Sequence, residues 1–112
     1  MATAQPEKAR VFYGDVLGLR FIEDDGSALV FHVGGIVLRL QKVQALTPQP
    51  FTVMGWVVPD VAMAVAGLKK KGVTFERYAW MGGADVWIAP GGSLVAWFKD
   101  PEGNLLSLTQ KP

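Results

Sequence analysis

The stretch PEKARVFYGDVLGLRF, residues 6–21, has the pattern of an amphipathic helix that leads into a strand. Its apolar residues recur at intervals of three and four, which places them in one stripe along a helix. These residues are Ala9, Phe12, Tyr13, Val16 and Leu17. Pro6 suits the first helical turn and Gly18 suits a left-handed stop. We therefore predict a helix over 6–17.

The junction between helix and strand occurs twice in the chain. Gly18-Leu19-Arg20-Phe21 ends the first helix, and Gly72-Val73-Thr74-Phe75 ends a second one, predicted over 61–71 with Asp60 as its N-cap. β-Prone runs surround both helices. They span 20–23, 28–33, 36–41, 52–58, 74–80, 85–89, 94–99 and 105–110. Neither half is large enough to bury its sheet alone, so the two halves must combine.

The resulting prediction is an α+β fold in one domain, with a mixed sheet that curls around a cleft and helices on its outer side. Module one covers about 1–42, a linker about 43–51, and module two about 52–112. Alternation along the strands assigns the two faces. Leu38, Leu40, Leu106 and Leu108 are expected under the helices. Arg39, Gln41, Ser107 and Thr109 are expected to face the cleft.

Composition excludes several classes of function. Eleven basic and ten acidic residues give a net charge of +1, so we expect neither a nucleic-acid partner nor an acidic membrane. The chain has no cysteine, which removes disulfides, zinc-thiolate sites and thiol catalysis. No apolar run approaches a membrane span, and the first residues do not resemble a signal peptide. We expect a cytoplasmic protein.

Three segments carry a resemblance to a known family. Residues 6–19 resemble the first-helix signature of the vicinal-oxygen-chelate superfamily, which includes glyoxalases, bleomycin resistance proteins and extradiol dioxygenases. Phe98-Lys99-Asp100-Pro101-Glu102-Gly103-Asn104-Leu105-Leu106 resembles its closing hairpin, and Val57-Val58-Pro59-Asp60-Val61 the entry to its second helix. The resemblance implies two βαβββ modules, a homodimer and, in enzymatic members, a divalent metal that chelates two substrate oxygens.

The metal positions implied by the resemblance do not hold metal ligands. They fall at Arg39, near Val53 and at Ser107, and none of these is a normal ligand for a divalent metal. A further ligand would lie on a strand before Pro6, where five residues remain. We therefore expect no metal or other cofactor, and a first strand that is truncated or completed by a partner chain.

The candidate ligand-binding residues have plausible structural roles as well. Arg39 could bind a carboxylate or phosphate, or pair with an acidic neighbour. Trp97 could stack on a ligand or only pack. Trp80 and Trp87 flank Met81-Gly82-Gly83, as in a lid or an interface patch. The predicted set is Arg39, Gln41, Val53, Trp80, Trp87, Trp97, Ser107 and Thr109.

Three functions follow from this reading. The first is a binder of a small organic molecule, used for sequestration or antibiotic resistance. The second is a lyase, isomerase or dioxygenase, either metal-dependent or metal-free with His32 or Tyr13 as the reactive group. The third is a structural or interaction module without a ligand. The absent metal ligands and the four tryptophans favour the first.

Overall fold

The computed structural model describes all 112 residues, Met1–Pro112. Its strands are β1 (Ala2–Thr3), β2 (Arg20–Asp24), β3 (Ala28–Val33), β4 (Ile36–Lys42), β5 (Thr52–Val57), β6 (Trp87–Ile88), β7 (Leu94–Lys99) and β8 (Leu105–Gln110). Its helices are α1 (Pro6–Arg10), continued by a π-helix over Val11–Val16, and α2 (Val61–Lys70), with a 3-10 turn over Ala79–Met81. None of the helices has the length and hydropathy to span a bilayer.

The chain divides into two compact units, each with one four-stranded mixed sheet. Unit 1 comprises Met1–Pro48 and Asp100–Gly103, and unit 2 comprises Gln49–Lys99 and Asn104–Pro112. The strand order is β1-β4-β3-β2 in unit 1 and β5-β8-β7-β6 in unit 2. In both units the first strand runs parallel to the last, and the other pairs are antiparallel. The predicted α+β class with two βαβββ modules is confirmed.

The first helix in unit 1 changes its winding partway along. The α-helical turn ends at Arg10, and the segment continues as a π-helix to Val16, so the helical span agrees with the predicted one. The amide of Leu17 donates to the carbonyl of Phe12 at 2.9 Å, a wider turn than an α-helix makes. Tyr13 lies within this wider turn and is almost completely buried.

One face of the unit 1 sheet forms the core against this helix. Phe31 pairs with Leu38 and Leu29 with Leu40, so these four side chains lie on the same face. The ring of Tyr13 packs on Phe31 with a centroid separation of 6.2 Å. Arg39 and Gln41 lie on the opposite face, as the alternation predicted. The short strand β1 pairs with β4 through Ala2 and Thr3.

The unit 2 sheet also has one covered face. On this face Leu108 of β8 pairs with Trp56 of β5 and with Ala96 of β7. Leu106 of β8 pairs with Phe98 of β7 on the same face. Helix α2 contacts β7 and β8, and its residues Val61 and Val65 are buried. Trp56 therefore lies on the helix side, although it is only half-buried.

The predicted strand over 74–80 is wrong. Only Phe75 forms a β-bridge, to Phe98, and the amide of Glu76 donates to the carbonyl of Trp97. The pairing cannot continue because β6 occupies the next part of the same edge of β7, where Trp87 pairs with Val95. The predicted strand over 85–89 shortens to β6 itself, and the chain between these two pairings forms the 3-10 turn.

Carboxylates organise the turn Asp100–Gly103 of unit 1. The hydroxyl of Tyr13 donates to Asp100 Oδ2 at 2.7 Å, and the amide of Glu102 donates to Asp100 Oδ1 at 2.9 Å. The carboxylate of Glu102 accepts bonds from the Thr3 hydroxyl and the Ala4 amide, at 2.5 and 2.6 Å. Burial, together with the charge and hydrogen bond of Asp100, raises the pKa of Tyr13 above its usual range.

Replacing Tyr13 with Phe tests this buried hydrogen bond. We expect Tyr13→Phe to lower the free energy of unfolding by about 1–3 kcal/mol at neutral pH, since the bond to Asp100 is lost. Because the pKa of Tyr13 is higher in the folded state, its stabilising effect is complete below about pH 10 and declines as the pH rises further. Urea unfolding between pH 8 and pH 11 measures both effects. An equally steep alkaline loss of stability in Tyr13→Phe and wild type would contradict this role.

Gly55 of β5 provides a test of packing in unit 2. A Cβ atom at this position would overlap the hydroxyl of Ser107 on β8. We expect Gly55→Ala to lower the free energy of unfolding by about 1–3 kcal/mol, and Ser107→Ala to restore most of it in the double variant. Gly67→Ala is the control, because a Cβ there meets open space and should stabilise α2 by about 1 kcal/mol. Urea unfolding that shows no loss in Gly55→Ala would contradict the packing described.

Candidate ligand site

Four aromatic residues of unit 2 form a single group, called here the aromatic cluster: Tyr78, Trp80, Trp87 and Trp97. Trp97 belongs to β7, where alternation turns it away from the covered face that holds Ala96 and Phe98. Trp87 pairs with Val95 and therefore lies on the same face as Trp97. Tyr78 precedes the 3-10 turn, and Trp80 lies within it.

The rings of the cluster form two walls at a steep angle to each other, one of Tyr78 and Trp80 and one of Trp87 and Trp97. Trp80 and Tyr78 are stacked, with centroids 5.6 Å apart and planes 9° apart. Trp80 meets Trp87 edge-on at 4.9 Å and 82°, and Trp97 at 5.7 Å and 79°. Trp87 and Trp97 are tilted by 36° at 5.9 Å. Edge-to-face pairs of this kind are favourable because the positive ring edge meets the negative ring face.

Polar residues of the same face hold and border the cluster. The indole Nε1 of Trp97 donates to the hydroxyl of Thr52 at 3.1 Å. Ser107 pairs with Trp97 and with Gly55 in the register of the sheet, and it is buried. Thr109 pairs with Val95 and lies on this face as well.

Val53 lies at a break in the register of β5. The register of β5 against β8 shifts between Thr52 and Met54, so Val53 has no partner on β8. This irregularity brings Thr52 onto the face of Trp97, a place that simple alternation from Val53 would not give it.

Ionic contacts fix both ends of the segment that carries Trp80. Arg77 Nε donates to Asp85 Oδ1 at 2.8 Å, and Lys69 Nζ of α2 donates to Asp85 Oδ2 at 2.8 Å. The hydrogen bonds from Arg77 and then Lys69 lower the pKa of Asp85 to about 2, so its carboxylate remains charged at neutral pH. Gly82 and Gly83, inside the segment, both have left-handed φ values of 72° and 80°.

Arg39 and Gln41 lie in a different place, on the surface of unit 1. They line a depression of about 430 Å³ with Met1, Gly26, Ser27, Ala28 and Lys42. Arg39 forms an ion pair with Asp25 at 2.9 Å, the structural alternative that the sequence left open. Hydrogen bonds from Ser27 and Ala28, and then from Arg39, lower the pKa of Asp25 below its usual range. Arg39 therefore already has an acidic partner on the surface of unit 1.

The residues at the metal positions do not fit a divalent metal. Arg39 is a paired cation, Val53 has no donor atom, and Ser107 offers one neutral hydroxyl. The structure contains no group of three or more His, Cys, Asp or Glu side chains that could hold a metal ion.

The two residues considered for metal-free chemistry differ in environment. The raised pKa of Tyr13 keeps its phenol protonated, and its proton is held by Asp100, so Tyr13 serves the core. His32 is exposed on β3 between Arg20 and Val37. The structure gives it no carboxylate neighbour in the sheet that would orient it as a base.

Sequence reasoning missed Tyr78 and Thr52. Tyr78 lay inside a predicted strand, where its ring was assigned no role. Thr52 joins the cluster only because of the register shift in β5, which no pattern in the sequence announces.

One comparison with known proteins shows the family of the chain. A family model described as Glyoxalase/Bleomycin resistance protein/Dioxygenase superfamily matches residues 1–108. No curated protein matches the chain.

Several solved structures are similar to the chain over nearly all of its length. A superfamily member from Sphaerobacter thermophilus has a TM-score of 0.79 at 23% identity, covering 99% of this chain and 92% of its own. A lactoylglutathione lyase from Agrobacterium tumefaciens has a TM-score of 0.77 at 20% identity, and the match covers 98% of this chain and 88% of the lyase. A glyoxalase/dioxygenase from Nostoc punctiforme has a TM-score of 0.72 at 18% identity, and the match covers 100% of this chain and 87% of the other. At these identities the likeness concerns the fold.

Proposed function

The chain belongs to the glyoxalase/bleomycin resistance protein/dioxygenase superfamily, and from that premise we propose that it binds a small organic ligand with an aromatic group. The ligand contacts the aromatic cluster on the uncovered face of the unit 2 sheet. The observation that carries the proposal is the set of five ring contacts, at 4.9–5.9 Å, among four aromatic residues outside the core.

The chemistry of the cluster supports an aromatic ligand. Trp80 is 58% exposed, and the other three rings are half-buried, so aromatic surface remains in contact with water. Covering such surface is favourable, and ring contacts add about 0.5–1.5 kcal/mol per pair beyond the area that is covered. The bond from Trp97 to Thr52 holds one wall in a fixed orientation, which lowers the entropy lost on binding.

We propose that the protein binds its ligand without converting it. The residues at the metal positions do not fit a divalent metal, so no chemical step is assigned through one. The phenol of Tyr13 is retained as a buried hydrogen-bond donor. We propose that the chain sequesters its ligand, a role that the name bleomycin resistance protein implies for members of this superfamily.

Alanine substitution of Trp97 tests the site. Flat aromatic compounds should bind the wild-type protein in calorimetric titrations. Trp97→Ala should bind the best of them at least about tenfold more weakly, because losing a stacking ring costs on the order of 1.4 kcal/mol or more. Met63→Ala, at an exposed position of α2, is the control and should leave the affinity unchanged. Equal affinity in Trp97→Ala and wild type, with both folded by circular dichroism, would contradict the proposed site.

We also propose that the protein is a homodimer, on the basis of its family. Light scattering at micromolar concentration should give twice the mass of the 12.1 kDa chain. A monomer mass would remove the dimer from the proposal without affecting the ligand site.

A further inference from the structure

We infer that Trp80 occupies the place of the ligand in the aromatic cluster, and that the natural ligand is a flat bicyclic aromatic compound of the size of indole. This inference rests on the proposed function and specifies both the class of the ligand and how access to the site is controlled.

The position of the Trp80 ring is that of a guest between the other rings. One face of Trp80 stacks on Tyr78 with planes 9° apart, while Trp87 and Trp97 meet it at 82° and 79°. A flat ligand in contact with all three rings would adopt this arrangement, with one stacked wall and one wall at a steep angle. The bicyclic indole therefore defines the size and shape of the ligand that the site accepts.

Trp80 is held less firmly than the rings around it. Trp97 is fixed by the hydrogen bond to Thr52, and Trp87 is part of β6. Trp80 is 58% exposed, and it is held by three ring contacts without a side-chain hydrogen bond. The ring that leaves when a ligand arrives is therefore Trp80, while the other three remain as walls.

The backbone around Trp80 is held in place, so only the side chain of Trp80 has to move when a ligand enters. Met81, the next residue, is buried, and its amide donates to the carbonyl of Tyr78 at 2.9 Å. The ion pair between Arg77 and Asp85 closes the base of the segment on both sides of Trp80. The Trp80 ring can thus leave by rotation of its own exposed side chain, while Tyr78 and the buried Met81 stay in place.

A ring that competes with the ligand lowers the apparent affinity. The measured dissociation constant equals the intrinsic constant divided by the fraction of molecules in which the place is vacant. Removing Trp80 should therefore increase affinity, whereas removing an ordinary contact residue decreases it. The sign of the change distinguishes the two roles.

The test is calorimetric titration of Trp80→Ala and wild type with 3-methylindole, which has the structure of the displaced side chain. We expect Trp80→Ala to bind at least about tenfold more tightly than wild type, as for a site vacant in about a tenth of the wild-type molecules. In Trp80→Ala combined with Tyr78→Ala, the gain should disappear, since the stacking wall is missing. Met63→Ala serves as the control and should bind like wild type.

The outcomes separate this inference from the proposed function. Tighter binding by Trp80→Ala supports the inference. Binding by wild type that weakens in Trp80→Ala would overturn it and leave the ligand site intact. No binding of 3-methylindole or other flat aromatic compounds by either protein would overturn both.

A second measurement covers the case in which Trp80→Ala does not fold. Wild-type protein labelled with 5-fluorotryptophan should show the Trp80 fluorine signal moving toward its position in unfolded protein as 3-methylindole is added. A Trp80 signal that moves in the opposite direction, toward greater burial, would overturn the inference.

Discussion

The coverage of one face of the unit 2 sheet is the constraint on which the candidate site depends. Helix α2 contacts β7 and β8, and Ala96, Phe98 and Leu106 are completely buried on the covered face. Because side chains alternate along a strand, burying these positions fixes Trp97 and Ser107 on the other face. A slip of one residue would exchange the core and the site, so the stability of the core also protects the register of the site.

In unit 1, side-chain hydrogen bonds hold the turn Asp100–Gly103 and the short strand β1 in place. The strand β1 has only two residues, and its pairing with β4 is supplemented by the bonds from Thr3 and Ala4 to the carboxylate of Glu102. Tyr13 adds the buried bond to Asp100. These acidic residues belong to the turn Asp100–Gly103, inside the segment that resembles the closing hairpin of the family. Residues of the family signature thus hold the turn and the short strand in place.

The sequence predicted well wherever local pattern and burial agree. The helical stripe through Tyr13, the glycine stops and the alternating leucines all led to the observed elements and faces. It failed where strands compete for one edge, since β6 displaces the predicted strand over 74–80 from β7. It also missed Tyr78 and Thr52, because a 3-10 turn and a register shift depend on tertiary pairing. Arg39 shows a further limit: its pairing with Asp25 was one of two readings that alternation alone could not separate.

Ligand binding at the aromatic cluster can be measured directly from the indole N–H signals of the four tryptophans in a proton–nitrogen correlation spectrum. Trp80, Trp87 and Trp97 belong to the aromatic cluster, while Trp56 lies on the helix side of the sheet and serves as an internal reference. During titration with a flat aromatic compound, we expect the three cluster signals to shift together along one saturation curve and the Trp56 signal to stay in place. Saturable binding that shifts the Trp56 signal alone, or none of the four signals, would show that the ligand site is not the aromatic cluster.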